Sequence, residues 1–355
     1  MSNTQDYKCP SCGAPLAFDP QAQEIKCSNC GNTYTPDDIE AYQKAEHMEG
    51  SFSWAAGTAS VPQERLENMT VYHCQNCGAI IECDENTVAT HCPYCDNNVI
   101  IGERAEGGLK PNAIVPFEIT PKELPDAINR FYGNKKLLPR NFFSASRLSK
   151  VQGIYIPFWM FRGTADGTAM FSAERVRHYR QGNYDCTETS HYRLIREGSL
   201  AFKNVGVDAS TKMDNDLMDS LEPYDLSKMV PFQGAYLTGY LADRYDSAPE
   251  NELERAEKRM RNTASGAFAT TTGGYSSVMP IREAYQIRNA EADYVMLPVY
   301  LVNNEYDGKK YQYAINGQTG KVVGELPTSK ERVRHYFLLT AGVVFAIVFG
   351  IACLV

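Results

Sequence analysis

Four Cys-x2-Cys pairs, arranged as two copies of one pattern, constrain this chain more than any other feature. Adding 65 to each of Cys9, Cys12, Cys27 and Cys30 gives Cys74, Cys77, Cys92 and Cys95, with fourteen residues between the pairs in both copies. Tyr7, Gly13 and Ala14 recur as Tyr72, Gly78 and Ala79, so the pattern is a duplication. A thiolate is a soft donor, and two cysteines at this spacing place both sulfurs on one cation through a tight turn. Gly13, Gly31 and Gly78 follow the second cysteine of their pairs and supply the open backbone such a turn needs, while Asp96 stands at the fourth. Two pairs complete a closed tetrahedral site of four thiolates. Zn2+ is therefore expected at two sites per chain, with iron the competitor, because tetrahedral sulfur suits it too. No position is left open for water or substrate, so both sites are predicted to be structural, holding ribbons too small for a core of their own.

The remaining thiols and imidazoles are read more plainly. His73 and His91 each precede a ligand cysteine but are surplus to eight thiolates. Cys83 aligns with Phe18 of the first copy and is expected to pack; Cys186 and Cys353 are expected to be bystanders. A disulfide framework is disfavoured, because 355 residues with 43% hydrophobic content need no staples. The cysteines read as metal ligands in a reducing compartment. Met1–Lys8 contains no apolar run of the secretory kind, so the N-terminal portion is expected in the cytosol.

The far end differs. Tyr336–Val355 is twenty residues without a charge, and a helix of that length covers roughly 30 Å, the hydrocarbon thickness of a bilayer. A transmembrane helix is predicted. Lys330, Arg332 and Arg334 precede it and mark a cytoplasmic flank, which places the soluble part on the inner side of the plasma membrane. Gly342, Ala346 and Gly350 recur every four residues, a stripe of small side chains through which a second copy or a partner span could pack.

The chain is thus read as multidomain: a first zinc ribbon over 1–34, an acidic helix and linker over 35–69, a second ribbon over 70–105, an α+β domain with antiparallel sheet over 106–330, and a basic flank with the membrane helix over 331–355. Thr35-Pro36-Asp37-Asp38 caps a helix running to about Met48, and the small, polar stretch from Gly50 to Pro62 reads as a linker. In the α+β domain a helix is predicted from Thr120 to Tyr132, and a meander over Ile154–Phe161, Thr168–Tyr179 and Tyr184–Arg196, broken at Ala165-Asp166-Gly167 and Gln181-Gly182-Asn183. A capping box at Ser247–Glu250 opens a further helix. Asp307-Gly308 predicts a tight hairpin, with Tyr311, Tyr313 and Ile315 on one face of its second strand. Pro157 and Pro298 sit within apolar runs that look alike, and both are expected on sheet edges or at strand starts because proline cannot donate to a ladder.

Charge bears on function. The net charge is -8, and residues 1–105 carry fifteen acids against five bases, the opposite of the basic patch that phosphate neutralisation requires. No Gly-rich phosphate loop, nucleophile elbow or metalloprotease motif is found. His178, His191, Glu188 and Arg193 lie in neighbouring predicted strands and read as a polar sheet face.

The paired ribbons, with Ile114–Phe117 (IVPF), Gly153–Trp159 (GIYIPFW), Thr187–Tyr192 (TETSHY), Asp216–Asp225 (DLMDSLEPYD) and Ala314–Lys321 (AINGQTGK), resemble a bacterial family of TFIIB-type zinc ribbon proteins, some labelled primosomal helicase-like. The resemblance covers nearly the whole chain. It implies a membrane protein working with flotillin-like SPFH and phage-shock-protein-A-type partners in envelope stress. The expected function is a membrane-anchored adaptor that recruits proteins and has no catalysis of its own. The alternatives are a zinc-ribbon nucleic-acid binder and, further off, an enzyme in the α+β domain.

Overall fold

The cysteine duplication folds as two ribbons that end in different company. In the computed structural model, residues 7–20, 22, 24–47, 49–59, 64–66, 69–84, 91–97, 104–105, 108–133, 135–139, 151 and 153–354 are described. The expected helix end at Met48, linker residues 60–62 and Val355 lie outside them.

Along the chain, β1 (Leu16–Asp19), β2 (Glu24–Cys27) and β3 (Thr33–Tyr34) make the antiparallel sheet of the first ribbon. A helix, Pro36–His47, follows. It starts where the cap predicts: the Asp38 N–H donates to Thr35 Oγ1 at 3.1 Å and the Thr35 N–H to Asp38 Oδ2 at 2.8 Å. The stretch read as a linker is instead a strand, β4 (Ser51–Ala59), paired with β13 (Ser277–Tyr306). Phe52 and Trp54 alternate with Ser51 and Ser53, a short strand signal that the linker reading passed over, and the small residues from Ala55 onward are drawn into the strand by pairing with β13.

The second ribbon contributes β5 (Met69–His73), β6 (Ile80–Asp84) and β7 (Arg104–Ala105), and β8 (Ala113–Ile114) follows. The predicted helix begins one turn late, at Leu124, and runs to Tyr132. Glu123 is used before it: its carboxylate accepts from both the N–H and the hydroxyl of Thr120 at 2.8 Å, which makes a turn and leaves Pro125 in the first helical turn. The meander is two long strands, β9 (Gly153–Gln181) and β10 (Tyr184–Asp208), with the turn at Gly182 as expected. Ala165-Asp166-Gly167 does not break β9. A Cβ on Gly167 would stand 2.2 Å from the Tyr285 ring, so this glycine permits close packing and marks no turn.

Beyond β11 (Val230–Pro231) and β12 (Leu241–Asp243), Pro249–Glu252 forms one 3-10 turn before the helix Leu253–Thr270. The Ser247 hydroxyl donates to Glu252 at 2.5 Å, so the box closes on a later acid than Glu250. β14 (Lys309–Asn316) pairs antiparallel with β13 from Tyr306–Lys309 to Val299–Asn316, and φ of 55° at Asp307 and 74° at Gly308 gives the predicted two-residue hairpin. β15 (Val322–Gly324) and the helix Lys330–Leu354 complete the chain.

The prolines correct an expectation, because β9 and β13 lie inside the strand order β11-β8-β13-β9-β12-β6-β5-β7. Pro298 sits where β13 changes partner, from β8 at Val295–Met296 to β14 from Val299 onward. Pro157 lies just past the pairing of Ile154–Tyr155 with β12. Each proline meets a gap in a ladder, which asks for no donor.

The chain divides into two compact units that are not consecutive segments, because β9, β10 and β13 each run through both. The first unit joins Met1–Thr58, with the first ribbon, to Phe161–Val205 and Leu253–Glu291. Its long helix buries Ala256, Met260, Ala264 and Phe268, one residue in four, and Phe268 lies against Tyr285. The second unit joins Ala59–Met160, Gly206–Glu252 and Ala292–Val355. One of its clusters takes Tyr72, Ile81 and Cys83 from the second ribbon together with Ile156, Phe158, Leu297 and Ala314. The other face of β14 turns Tyr313 and Ile315 onto Leu124, Ile128 and Tyr300, with Tyr311 packed against them, as the alternation predicts.

Candidate metal centres

All four Cys-x2-Cys turns close in the same way. The N–H of Gly13, Gly31, Gly78 and Asp96 donates to the carbonyl of Cys9, Cys27, Cys74 and Cys92 at 2.8, 3.0, 2.8 and 2.9 Å. Each of these first cysteines donates its own N–H to the carbonyl of Ala14, Asn32, Ala79 or Asn97 at 2.8–2.9 Å. The closing residue has φ of 73°, 74°, 70° and 62°, the left-handed region that glycine enters freely and that Asp tolerates better than most. The Gly-to-Asp96 departure thus leaves the turn intact.

These turns bring the sulfurs together. Cys9–Cys30 and Cys12–Cys27 stand 3.6 and 3.5 Å apart, and Cys74–Cys95 and Cys77–Cys92 stand 3.5 and 3.6 Å apart. Within each group all four sulfurs lie within 4.8 Å of one another. A tetrahedron with metal–sulfur bonds of ~2.3 Å has edges of about 3.8 Å, so both groups fit one four-coordinate ion. All eight cysteines named from spacing fall in these two groups, with no histidine in either.

Four thiols this close cannot share charge evenly. In the first group Cys12 is drawn down to about 6 by hydrogen bonds from the Asn29 side chain and the Ala14 N–H. Cys30, although the Asn32 N–H favours its thiolate, is pushed up to about 12 by partial loss of water on the side facing the cluster and by the thiols of Cys27, Cys9 and Cys12. In the second group burial works against Cys74, but the N–H groups of Cys77 and Asn76 bring it to about 7, while burial raises Cys92. One sulfur ionises at the expense of another until a cation replaces the protons.

Supporting residues that spacing could not name hold the turns. The Tyr34 hydroxyl lies 3.3 Å from Cys9 Sγ and 2.8 Å from the Ser11 hydroxyl, which also accepts from Asn32 Nδ2 at 2.9 Å. In the first unit Arg193 Nε donates to the Pro10 carbonyl at 3.3 Å. In the second unit it is the other knuckle that is held: the Pro93 carbonyl accepts from Asn303 Nδ2 at 2.9 Å, and the Tyr94 carbonyl from Gln312 Nε2 at 3.1 Å. Both ribbons therefore have the peptide inside a knuckle pinned by a strand side chain.

The two centres differ in their setting. Cys12 and Cys30 are exposed, whereas the second group is half-buried or buried throughout and sits on a hairpin whose strand β6 pairs with β12. There Glu82, 2% exposed, accepts from Arg244 Nε at 2.6 Å and from the Gly108 N–H at 2.8 Å. Next to it on β12, burial pushes Asp243 up to about 7, although its Oδ2 accepts from the Ser210 hydroxyl at 2.6 Å. The buried Tyr94 hydroxyl faces this carboxyl without reaching hydrogen-bond geometry.

The polar strand residues do not converge. His178 Nδ1 meets the Thr187 hydroxyl at 3.0 Å and His191 pairs with Glu174 at 3.3 Å, both exposed, while Arg193 turns to the first ribbon. A cleft of about 480 Å³ in the second unit is lined by acids and hydroxyls, among them Asp208, Ser210, Asp214, Asp216 and Glu252. At the C-terminus Lys330–Gly350 is long and apolar enough to cross a membrane, and its side chains are unburied.

Over 339 residues, 96% of this chain and 95% of the relative, the sequence is 37% identical to "Uncharacterized protein YdjG" of Bacillus subtilis (strain 168). No family model matches the chain. No solved structure matches it. At that identity and coverage the chain belongs to the same family as YdjG.

Proposed function

We propose that this member of the YdjG family is a membrane-anchored zinc-ribbon adaptor, with its ribbons and sheet units in the cytosol at the inner face of the plasma membrane, where it recruits protein partners. The observation that carries the reading is the pair of closed four-sulfur groups on a chain that ends in an unburied apolar helix. When bound, Zn2+ would cross-link four thiolates and supply no open position for chemistry, so the metal serves shape. Cys9, Cys12, Cys27 and Cys30 would hold one ion and Cys74, Cys77, Cys92 and Cys95 the other. The partners in this reading are of the flotillin-like SPFH and phage-shock-protein-A types, acting in envelope stress.

Crosslinking in intact cells, detergent solubilisation and pull-down of the full chain test this. An SPFH-type protein among the captured chains is the expected result. Crosslinked RNA or DNA, with binding that weakens steeply as salt rises, would overturn it.

A further inference from the structure

The membrane helix does not leave the second unit on a tether. Its first residue follows Ser329, which is buried and caps it: the Val333 N–H donates to the Ser329 carbonyl at 2.9 Å and the Arg332 N–H to its hydroxyl at 3.3 Å. Two loops are tied to this first turn. Ser329 N–H donates to the Leu137 carbonyl at 2.9 Å and Arg332 Nη1 to the Lys136 carbonyl at 3.1 Å, which fixes the segment after the helix Leu124–Tyr132. Lys330 pairs with Asp307 at 3.1 Å, both side chains exposed, which sets the β13–β14 turn beside the helix start.

These loops carry Lys135, Lys136, Lys309 and Lys310, all exposed. Lys309 reaches Glu325 at 3.4 Å with both side chains largely in solvent; the other three make no ion pair among the described residues. With Lys330, Arg332 and Arg334 on the helix, cations outnumber the neighbouring acids Glu305, which stands opposite Lys310 in the hairpin, Asp307, Glu325 and Glu331. From Arg332 to Tyr336, where the uncharged run begins, is four residues, roughly 6 Å of helix. A headgroup layer has about that depth, and charges in it act over a Debye length of ~8 Å.

We propose that Lys135, Lys136, Lys309 and Lys310 form, around the emerging helix, a docking surface for anionic phospholipid headgroups. The surface presses the β13–β14 turn and the Lys135–Leu137 segment onto the membrane face. It rests on reading Lys330–Leu354 as a span. Close attachment is what gives the lysines this role, because a tethered domain would be free to turn them away, whereas here hydrogen bonds to the Lys136 and Leu137 carbonyls hold one loop beside the first helical turn and the Lys330–Asp307 pair sets the other next to it.

Lysine acetylation footprinting of the full chain in nanodiscs tests the surface without a variant that could misfold. The discs contain phosphatidylcholine alone, phosphatidylcholine with phosphatidylglycerol, or phosphatidylcholine with inorganic phosphate added to the buffer. In the phosphatidylglycerol discs, acetylation of the four lysines should slow on the order of fivefold, with Lys258 of the first unit unchanged and high salt restoring the rates. Equal rates in the two lipid compositions, or slowing by free phosphate alone, would overturn the proposal. Hydrogen exchange over 336–350 in the same discs separates the two readings. Protection there with no lipid effect on the lysines defeats the docking surface only, and its absence defeats the membrane span as well.

Discussion

Arg244→Ala should be among the most damaging single changes in the second unit, although Arg244 touches neither cysteine group. Its guanidinium approaches Glu82 through Nε at 2.6 Å and through a second nitrogen, and the Glu82 side chain is only 3% exposed. Removing the cation leaves a buried carboxylate with the Gly108 N–H as its remaining partner. Breaking a buried pair from one side costs about 3–5 kcal/mol. The lower end applies here, because the Arg244 side chain is 29% exposed, so its removal opens the carboxylate to water from the side the guanidinium covered. Since Glu82 lies on β6, opposite Ala242 of β12, the loss falls on the strand pairing that joins the second ribbon to its sheet. Urea unfolding of the full chain reads it, in a Trp54→Phe background so that Trp159 reports. That indole is buried in the second unit and donates to the Ser247 carbonyl at 2.9 Å. With a slope of about 2 kcal/mol per molar urea, a loss of about 3 kcal/mol lowers the midpoint by about 1.5 M. Glu82→Leu with Arg244→Met, which removes both charges, should recover most of that. A midpoint within about 0.3 M of wild type for Arg244→Ala would refute the reasoning.

Three further outcomes follow from the same structure. Cys27→Ser should cost one metal and loosen residues 7–34 alone, whereas Cys92→Ser, in the cluster with Ile81 and Phe158, should lower the Trp159 midpoint as well; limited proteolysis with elemental analysis separates the two, and equal behaviour contradicts the difference in setting. Asp243 keeps its proton in the fold up to about 7, while the unfolded chain releases it near 4, so stability falls as pH rises through that window and levels off above it. Asp243→Asn should therefore gain roughly 2 kcal/mol on wild type between pH 5 and pH 8 in urea unfolding, and a pH-independent difference would count against the raised carboxyl. In the apolar C-terminal helix, Ala346→Leu should weaken association of residues 330–355 in a membrane two-hybrid reporter if Gly342, Ala346 and Gly350 seat another span; equal signals would mean the stripe is composition only.

How far the sequence reaches depends on the range of the interaction involved. The knuckles were legible to the residue, Asp96 included, because a Cys-x2-Cys turn is closed by its own backbone within five residues. The Asp307-Gly308 hairpin was legible for the same reason. Strand length was not: Gly167 looks like a turn until Tyr285 is set against it, and Ser51–Ala59 looks like a linker until β13 lies beside it. Pro157 and Pro298 misled because a strand can change partners along its length, so an interior strand still offers gaps where no donor is needed. The residues that hold the centres from outside, Tyr34, Arg193, Asn303 and Gln312, are polar side chains of ordinary type. Only the fold reveals that their partners are the ribbon turns.

The central claim is that the chain carries two complete four-thiolate sites that hold zinc. Elemental analysis of the full-length protein, purified in detergent without added metal or chelator, tests it most directly. Two zinc ions per chain, released in step with modification of the eight ligand cysteines by a thiol reagent, is the predicted result. One ion or none per chain, or iron in place of zinc, would contradict it.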